Sequence, residues 1–163
     1  MDSAKDQCLN VTIRPATNAD AETVREILFS VLKEYGLLAE HEGVDADLAD
    51  IEGNYIAHGG LFDVVLDGNQ KLIGMVGLYP RSDSVAELRK MYLRKAARGR
   101  GLGKRLLEWV LSRARELGFH RIELETSSKL VEAIGLYRRY GFTPLSTDHM
   151  ACRCDQAFAL DLT

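Results

Sequence analysis

Three alternate glycines in a basic stretch, followed by a long amphipathic pattern, constrain this chain more than any other feature. The stretch is Arg98-Gly-Arg-Gly101-Leu-Gly103-Lys-Arg105, and an apolar strand-like segment ending at Leu93 precedes it. Glycine has no Cβ, so the backbone can turn sharply here and approach a ligand closely. A helix that begins at such a turn offers unpaired N–H groups and the positive end of its dipole. The pattern therefore predicts an anion site suited to phosphate.

The spacing of the glycines excludes two common phosphate-binding motifs. A dinucleotide fingerprint requires Gly-x-Gly-x-x-Gly, but with Gly99 and Gly101 as the first pair the third position is Lys104. A P-loop requires a glycine, four residues and then Gly-Lys-Ser/Thr. Here Arg98 stands at the leading glycine position, and Arg105 stands where the hydroxyl residue belongs. The phosphate is therefore expected to be held by another kind of loop.

Length and composition predict one domain over residues 1–163, with residues 1–9 as a flexible or edge N-terminus. The 163 residues are 46% hydrophobic and 28% charged, which is enough for an ordinary core. No apolar run approaches the ~18 residues of a membrane span, and the polar first residues lack a signal-peptide core. Cys8, Cys152 and Cys154 are an odd and sparse set that favours a reducing compartment. We therefore expect a cytoplasmic protein without a membrane segment.

Charge is distributed unevenly along the chain, whose net charge is −3. Residues 89–105 are rich in Lys and Arg and contain no acid, whereas residues 34–52 are acidic and contain no Lys or Arg. The acidic residues there are Glu34, Glu40, Glu42, Asp45, Asp47, Asp50 and Glu52. Each run is explained either by a solvated face or by a site. The sites would be a basic one for a polyanionic cofactor and an acidic one for a cationic substrate.

Hydrophobic periodicity predicts an α/β chain. Strand patterns occur at residues 11–15, 61–80 (a hairpin turning at Asp67), 85–93, 121–126, 142–145 and 156–162. Helical patterns occur at residues 24–35, 45–55, 101–117 and 130–140. This order predicts a single mixed, mostly antiparallel sheet of about six or seven strands, flanked by about four helices. The helix from Gly101 is expected to be a right-handed crossover between parallel strands.

A second motif lies downstream of the glycines, in Ala133-Ile-Gly-Leu-Tyr137-Arg-Arg-Tyr-Gly141-Phe142. Together, Arg98-x-x-Gly-x-Gly and this Ala-x-x-Leu-Tyr-x-x-x-Gly-Phe segment resemble the two signatures of the GNAT superfamily of N-acetyltransferases. The order of the motifs, the gap between them and the opening Arg-Pro-Ala-Thr also fit. The resemblance extends from about residue 11 to residue 162 and is clearest over 87–142. It implies the GNAT-like acyl-CoA N-acyltransferase fold, with acetyl-CoA as co-substrate.

The resemblance also implies which residues bind the cofactor. Backbone N–H groups from Arg100 to Lys104 would hold the pyrophosphate, and Arg98 and Lys104 would add positive charge. In the family, the strand before the loop splays from its neighbour and its backbone pairs with the pantetheine arm. A strand N–H also stabilises the oxyanion, and Leu93 is the candidate for it. The implied cofactor residues are Met91, Tyr92, Leu93, Arg98, Gly99, Arg100, Gly101, Leu102, Gly103 and Lys104.

Two catalytic residues are implied by position. Tyr137 matches the family tyrosine that protonates the departing thiolate, a suitable role for a phenol whose ordinary pKa is about 10. Tyr140 is the nearby alternative. Glu87 resembles in position the general-base glutamate of some histone-acetyltransferase members, while other members use bound water. The structural alternatives are a core tyrosine at Tyr137 and a strand carboxylate at Glu87 that pairs with Arg89 or Lys90.

The sequence departs from the family at the middle of the cofactor arm. Many members carry Asn three residues before the alanine of the second motif, where it contacts the pantetheine. This chain has Leu130 at that position. Ser127 or Ser128 is the candidate to replace the missing amide.

His149, Cys152 and Cys154 invite a metal interpretation, because three potential ligands lie within six residues. Zinc prefers four ligands, and no second Cys/His cluster completes that set. Cys-x-Cys in a strand also simply places two small apolar side chains on one face. We therefore predict no metal site.

These patterns predict an acetyl-CoA-dependent N-acetyltransferase that acts on a primary amine of a small molecule or peptide. No cysteine or serine lies in a nucleophile context, so we expect direct attack in a ternary complex rather than an acetyl-enzyme. The alternative is a non-catalytic acyl-CoA sensor of the same fold. Nucleic-acid binding ranks below both, because glycines rather than aromatic residues interleave the basic run. The acidic run favours a cationic acceptor, and the resemblance implies that a homodimer can form.

Overall fold

The chain forms one open sheet with helices on both faces. The computed structural model describes residues 10–40, 42–148, 150–151 and 153–163, so the predicted N-terminal segment 1–9 lies outside the described residues. The strands are β1 (Thr12–Pro15), β2 (Leu61–Leu66), β3 (Leu72–Pro80), β4 (Val85–Leu93), β5 (Arg121–Thr126), β6 (Thr143–Pro144) and β7 (Gln156–Asp161). Within the described residues these seven strands lie in the order β1-β2-β3-β4-β5-β7-β6, and only β4 and β5 are parallel neighbours. The mixed, mostly antiparallel sheet is therefore confirmed.

The described part of the chain contains three α-helices and a shorter helical segment. The helices are α1 (Ala21–Glu34), α2 (Leu102–Glu116) and α3 (Val131–Arg139). A 3-10 turn (Ala46–Asp50) and a π turn (Glu52–Ile56) form the fourth helical segment, where a short helix was predicted. Leu48 and Ile51 are fully buried there. None of the helices in the described ranges is both long and apolar enough to cross a membrane.

The apolar stripe of each helix determines which face of the sheet it covers. α1 buries Ile27 and Leu28 in one cluster with Phe62 of β2. α2 buries Leu107 in a separate cluster with Val76 of β3, and α3 joins that second cluster. Successive residues of a strand point to opposite faces, so the two clusters lie on opposite sides of the sheet. α1 and the 46–56 segment therefore cover one face, and α2 and α3 cover the other.

The sheet opens between its two central parallel strands. The pairing of β4 with β5 ends where Glu87 lies opposite Glu123. Beyond that point the register of β4 against β3 shifts, and Lys90 has a φ of 55°. A bulge of this kind bends its strand. β4 and β5 therefore diverge and leave a cleft between their carboxyl-terminal halves.

Candidate active site

The cleft between β4 and β5 holds a cavity of about 410 Å³. This volume is large enough for a small ligand or for one arm of a larger one. β4 lines it from Glu87 to Leu93, β5 lines it from Leu124 onward, and α1 and α3 close its sides. One end is lined by Arg98, Gly99 and Gly103, and we call it the glycine-loop end. The other is lined by Glu125, Ala151, Arg153 and Cys154, and we call it the far end.

The glycine-loop end is made of backbone N–H groups. Gly99 and Gly101 have φ values of 78° and 79°, a left-handed conformation that favours glycine. α2 starts directly after Gly101, and no side chain caps its first turn. The N–H groups of a first turn have no acceptor within the helix, so together with the helix dipole they favour an anion. Arg100 and Lys104 are exposed beside them.

Arg98 is largely engaged by other protein groups. Its Nε donates to the carbonyl of Leu93 at 3.1 Å, and its Nη1 donates to the Tyr35 hydroxyl at 3.2 Å and to Glu34. Its Nη2 is buried and has no partner among the described residues. The side chain therefore ties the end of α1 to the end of β4. Glu34 therefore neutralises much of the positive charge that Arg98 was predicted to offer to the cofactor. Nη2 is the donor of Arg98 that remains for an anion.

The end of β4 directs backbone groups into the cleft. The N–H of Arg94 donates to the carbonyl of Ile73 on β3 at 2.8 Å. Hydrogen-bonded and non-hydrogen-bonded pairs alternate along an antiparallel ladder. Leu93, which lies opposite Gly74, therefore points its N–H and C=O away from β3. The C=O of Leu93 accepts a hydrogen bond from Arg98. The N–H of Leu93 faces the cleft, where a donor to an oxyanion has to lie.

Tyr137 is both a core residue and a cavity residue. It is 6% exposed, its ring centroid lies 5.6 Å from that of Phe142, and it lines the cavity. Burial, together with the nearby phenol of Tyr92, raises the pKa of Tyr137 above its ordinary value, so the hydroxyl is protonated at neutral pH. Tyr140 does not line the cavity, and its hydroxyl pairs with Glu108. The structure therefore favours Tyr137 over Tyr140 as the acid.

Glu87 lies where β4 and β5 separate and is 7% exposed. Both of its carboxylate oxygens are engaged. Nε of Arg89 donates to Oε1 at 2.9 Å, and Arg81 donates to Oε2. The predicted alternative of pairing with Arg89 is therefore present, with Arg81 as an additional partner. Both oxygens therefore already accept from guanidinium groups, and an acceptor amine would have to displace one of them to reach Glu87.

A buried ion-pair network closes the far end of the cavity. Lys90 Nζ lies 2.7 Å from a carboxylate oxygen of Asp45, and the two side chains are 3% and 2% exposed. Arg153 donates to both oxygens of the same carboxylate, at 2.6 and 2.8 Å. Burial opposes ionisation of Asp45, but Arg153, the N–H of Glu40 and Lys90 outweigh it and lower the pKa of Asp45 to about 2. Sequence reasoning missed this network, because Asp45 and Arg153 are 108 residues apart.

The acidic side chains of residues 34–52 do not line the cavity, although Tyr35, Leu37 and Val44 of the same segment do. Several of these carboxylates form ion pairs within the protein. Asp45 pairs with Lys90 in the buried network, and Glu34 pairs with Arg98. The electrostatic reason for predicting a cationic acceptor from this run is therefore absent. A different carboxylate, Glu125 of β5, lines the far end, and its place in the cavity is not apparent from any motif.

The predicted substitutes for the missing pantetheine amide have different surroundings. Ser127 and Leu130 both line the cavity. Ser128 instead binds Asp155, through its N–H at 2.7 Å and its hydroxyl at 2.6 Å. Ser127 is therefore the serine of the pair that is placed to meet a ligand in the cleft.

Loops from distant parts of the chain complete the cavity. Residues 34–60 and 146–155 contribute side chains to its lining, whereas residues 80–85 do not. Cys154 is part of this lining, and burial raises the pKa of its thiol to about 11, so it is not a thiolate nucleophile at neutral pH. His149 and Cys152 lie outside the described residues, which contain no group of three potential metal ligands.

Comparison with known proteins agrees with this arrangement. The sequence profile of the acetyltransferase (GNAT) family matches residues 25–142. The uncharacterized N-acetyltransferase YjgM of Escherichia coli strain K12 is 34% identical over 150 residues, covering 86% of this chain and 89% of that protein.

Solved structures of similar proteins share the fold. A GNAT-family acetyltransferase of Staphylococcus aureus Mu50 superposes with a TM-score of 0.87 at 24% identity, over 94% of this chain and 99% of that one. A GNAT superfamily phosphinothricin acetyltransferase of Sinorhizobium meliloti, solved in complex with AcCoA, superposes with a TM-score of 0.73 at 23% identity, over 94% and 89% of the two chains. The predicted fold and family resemblance are confirmed. The chain belongs to the GNAT family of acetyltransferases.

Proposed function

We propose that this chain transfers the acetyl group of acetyl-CoA to a primary amine of a small molecule or peptide, by direct attack within a ternary complex. As a member of the GNAT acetyltransferases, it is an acetyl-CoA-dependent N-acetyltransferase. One observation carries the proposal of direct attack. A single cavity runs from an anion-binding loop, past the buried phenol of Tyr137, to a separate far end that has room for an acceptor.

Acetyl-CoA suits the glycine-loop end in both charge and shape. The N–H groups of residues 100–104 would hold the pyrophosphate, and the exposed side chains of Arg100 and Lys104 would add charge. The backbone of residues 91–93 borders the cleft, so the pantetheine amides can pair with it as an added strand would. The AcCoA complex of the S. meliloti relative, which has the same fold, supports this choice of donor.

Separate groups would stabilise the oxyanion and protonate the leaving thiolate. An amine that enters from the far end attacks the thioester carbonyl, and the resulting oxyanion accepts a hydrogen bond from the N–H of Leu93. Tyr137 then gives its proton to the departing thiolate. Burial raises the pKa of Tyr137, and the same desolvation raises the basicity of the thiolate, so the two groups stay matched. Glu87 remains the base candidate by position, although Arg81 and Arg89 already occupy both of its carboxylate oxygens.

The proposal is tested by measuring thiol release from acetyl-CoA against a panel of primary amines, together with calorimetry of acetyl-CoA binding. The panel contains monoamines, polyamines, amino acids and a peptide with an unblocked N-terminus. We expect binding of acetyl-CoA and thiol release that depends on the amine. Binding without release for any amine would instead indicate the acyl-CoA sensor, which family membership does not favour.

Further predictions concern the binding partners of the protein and its location in the cell. An RNA or DNA oligomer serves as the calorimetric control for the basic run 89–105. We expect no binding, because Arg89 and Lys90 pair with carboxylates inside the protein and Arg98, Arg100 and Lys104 belong to the glycine-loop end. Sedimentation of the purified protein tests the homodimer. The cytoplasmic location stays a prediction.

A further inference from the structure

We infer that Glu125, rather than Glu87, binds the ammonium group of the acceptor and takes its first proton. The inference rests on the proposed acetyl transfer and assigns that reaction a residue which no motif identifies. It also narrows the acceptor to an amine that carries one positive charge on an otherwise uncharged body.

The position of Glu125 on β5 places it on the face from which an acceptor can enter. Glu123, two residues earlier, is the last residue of β5 that pairs with β4. Glu125 therefore lies at the start of the cleft, and residues two apart in a strand share a face. Leu124 points to the opposite face, into the core cluster that also contains Tyr137. The carboxylate and the proposed acid thus approach the thioester from opposite sides of the sheet.

The surroundings of Glu125 confirm that it belongs to the far end. Its Oε2 accepts a hydrogen bond from the N–H of Ala151 at 3.3 Å. Both residues line the cavity, together with Cys154. The same carboxylate helps to raise the pKa of the Cys154 thiol, after burial itself. The Glu125 carboxylate therefore lies beside Ala151 and Cys154 at the far end.

Glu125 is a half-buried carboxylate of the cavity that lacks a cationic partner, whereas Glu132, which also lines the cavity, is exposed at the start of α3. No Lys or Arg of the described residues forms an ion pair with Glu125, which accepts one long backbone hydrogen bond. By contrast, Arg81 and Arg89 occupy both oxygens of Glu87. A half-buried carboxylate without a counter-ion attracts a cation more strongly than one that is already paired.

The neighbouring charges limit how many cations the acceptor can carry. Asp45 and Asp47 already neutralise Lys90 and Arg153, so this network offers no free carboxylate to a second ammonium group. The remaining lining includes the apolar side chains of Leu37, Val44 and Ala151. A monoamine with an uncharged stem pairs with Glu125 and packs on these apolar side chains, whereas a second ammonium group of a polyamine would lose water there without gaining a counter-ion.

The proton balance assigns one step to Glu125. The bound ammonium gives one proton to the carboxylate, and the neutral amine then forms the C–N bond with the thioester carbonyl. When the intermediate collapses, the C–S bond breaks and Tyr137 protonates the thiolate, while the nitrogen loses its second proton to water. Tyr137 regains a proton from the solvent, and Glu125 releases its proton. One turnover therefore yields amide, free thiol and one net proton.

The test uses Glu125→Gln, which keeps the shape of the side chain and its capacity to accept from Ala151. We expect kcat/KM for the best monoamine to fall roughly 100-fold, the usual scale for loss of a general base, and its low-pH limb to disappear. Affinity for acetyl-CoA should stay within about twofold. Glu123→Gln is the matched control, because it removes the same charge from the same face of β5 but lies outside this cavity.

Two further measurements separate binding and catalysis from a structural role. Glu125→Asp should recover part of the lost kcat/KM, because it restores the charge. Wild type should prefer a monoamine to a polyamine of similar length, and Glu125→Gln should lose more activity than Glu87→Gln.

Several results would overturn the inference. Activity of Glu125→Gln within threefold of wild type (a change of about 0.6 kcal/mol) would remove Glu125 from the reaction while leaving the proposed function intact. An equal loss of acetyl-CoA affinity would show a structural role instead. Absence of thiol release by wild type with every amine, despite acetyl-CoA binding, would overturn the proposed function and the inference with it.

Discussion

The two ends of the cavity are built in opposite ways. The glycine-loop end uses backbone N–H groups from consecutive residues, and its arginine and lysine side chains are exposed or already paired. The far end uses side chains from separate segments, among them Lys90 of β4, Asp45 before the 3-10 turn, and Arg153 before β7. A backbone site depends on conformation and tolerates many side chains. A buried ionic site depends on each charge having its partner.

This difference suits what the ends have to bind. A pyrophosphate has a fixed shape and charge, and N–H groups at a helix start recognise it without specific side chains. An acceptor has to be selected from many amines, and loops that carry side chains provide that selection. Changes at the far end should therefore affect stability and acceptor choice, while changes at the glycine-loop end should affect cofactor affinity.

The largest effect is expected from Asp45→Asn at the far end. This change leaves Arg153 as a largely buried cation without a counter-ion among the described residues, and leaves Lys90 with Asp47 at 3.5 Å. Breaking such a buried pair costs about 3 kcal/mol or more. Urea unfolding should show the loss as a lower free energy of unfolding. Asp50→Asn, an exposed carboxylate that accepts from Asn18, is the matched control and should change far less. Equal losses would mean that the buried network does not hold the far end together.

The same carboxylate makes stability depend on pH in a defined window. The pKa of Asp45 falls from its ordinary value of 3.8 to about 2 in the folded protein, despite burial, because Arg153 and Lys90 bind the ionised form. A folded pKa below the unfolded one adds stability that is complete above about pH 4 and is lost as the pH falls through 2. The difference in unfolding free energy between wild type and Asp45→Asn should therefore shrink between pH 5 and pH 2.

The next largest effect is expected from Tyr137→Phe, between the two ends. Removing the hydroxyl should lower kcat roughly 100-fold, because the thiolate then leaves without a proton donor. Calorimetry should find acetyl-CoA affinity nearly unchanged. Tyr140→Phe is the control, since its hydroxyl pairs with Glu108 outside the cavity. Unchanged turnover in Tyr137→Phe would reduce this residue to a core tyrosine.

A smaller effect is expected from Gly101→Ala at the glycine-loop end. A residue with a Cβ is strained at a φ of 79° by about 1 kcal/mol, and relief of that strain moves the N–H groups. The Kd for acetyl-CoA should rise about tenfold, which corresponds to about 1.4 kcal/mol. Gly118→Ala carries the same strain at the other end of α2, where φ is 90°, and should leave that Kd unchanged. A similar rise in both variants would point to the helix rather than the loop.

The smallest effect is expected from Lys104→Ala. Its side chain is 66% exposed, so its charge acts on a bound phosphate through water. The Kd for acetyl-CoA should rise about two- to threefold at low salt and lose that difference near 1 M salt. Arg115→Ala, an exposed cation at the opposite end of α2, controls for net charge. A loss larger than that of Gly101→Ala would show that side-chain charge, and not backbone geometry, dominates this end.

Local patterns predicted most of the fold and the glycine-loop end. Helical and strand periods located α1, α2 and β4 to within a few residues, because each element buries one face whose spacing is visible in the chain. The last strands were predicted too long, since β6 spans only Thr143–Pro144. The far end was predicted least well. The acidic run favoured a pocket for a cationic acceptor, but Asp45 and Glu34 of that run pair with Lys90 and Arg98 within the protein instead.

The sequence by itself determined where the chain can turn tightly, which helix start can receive an anion, and which tyrosine follows at the right distance. These properties depend on residues that are near each other in the chain. Only the tertiary structure decided that Arg98 is bound to Glu34, that Glu87 is held by two arginines, and that Glu125 is left unpaired in the cavity. A charged side chain pairs with whichever groups lie near it in space. That proximity is determined by the packing of segments that are distant in the sequence, and not by spacing along the chain.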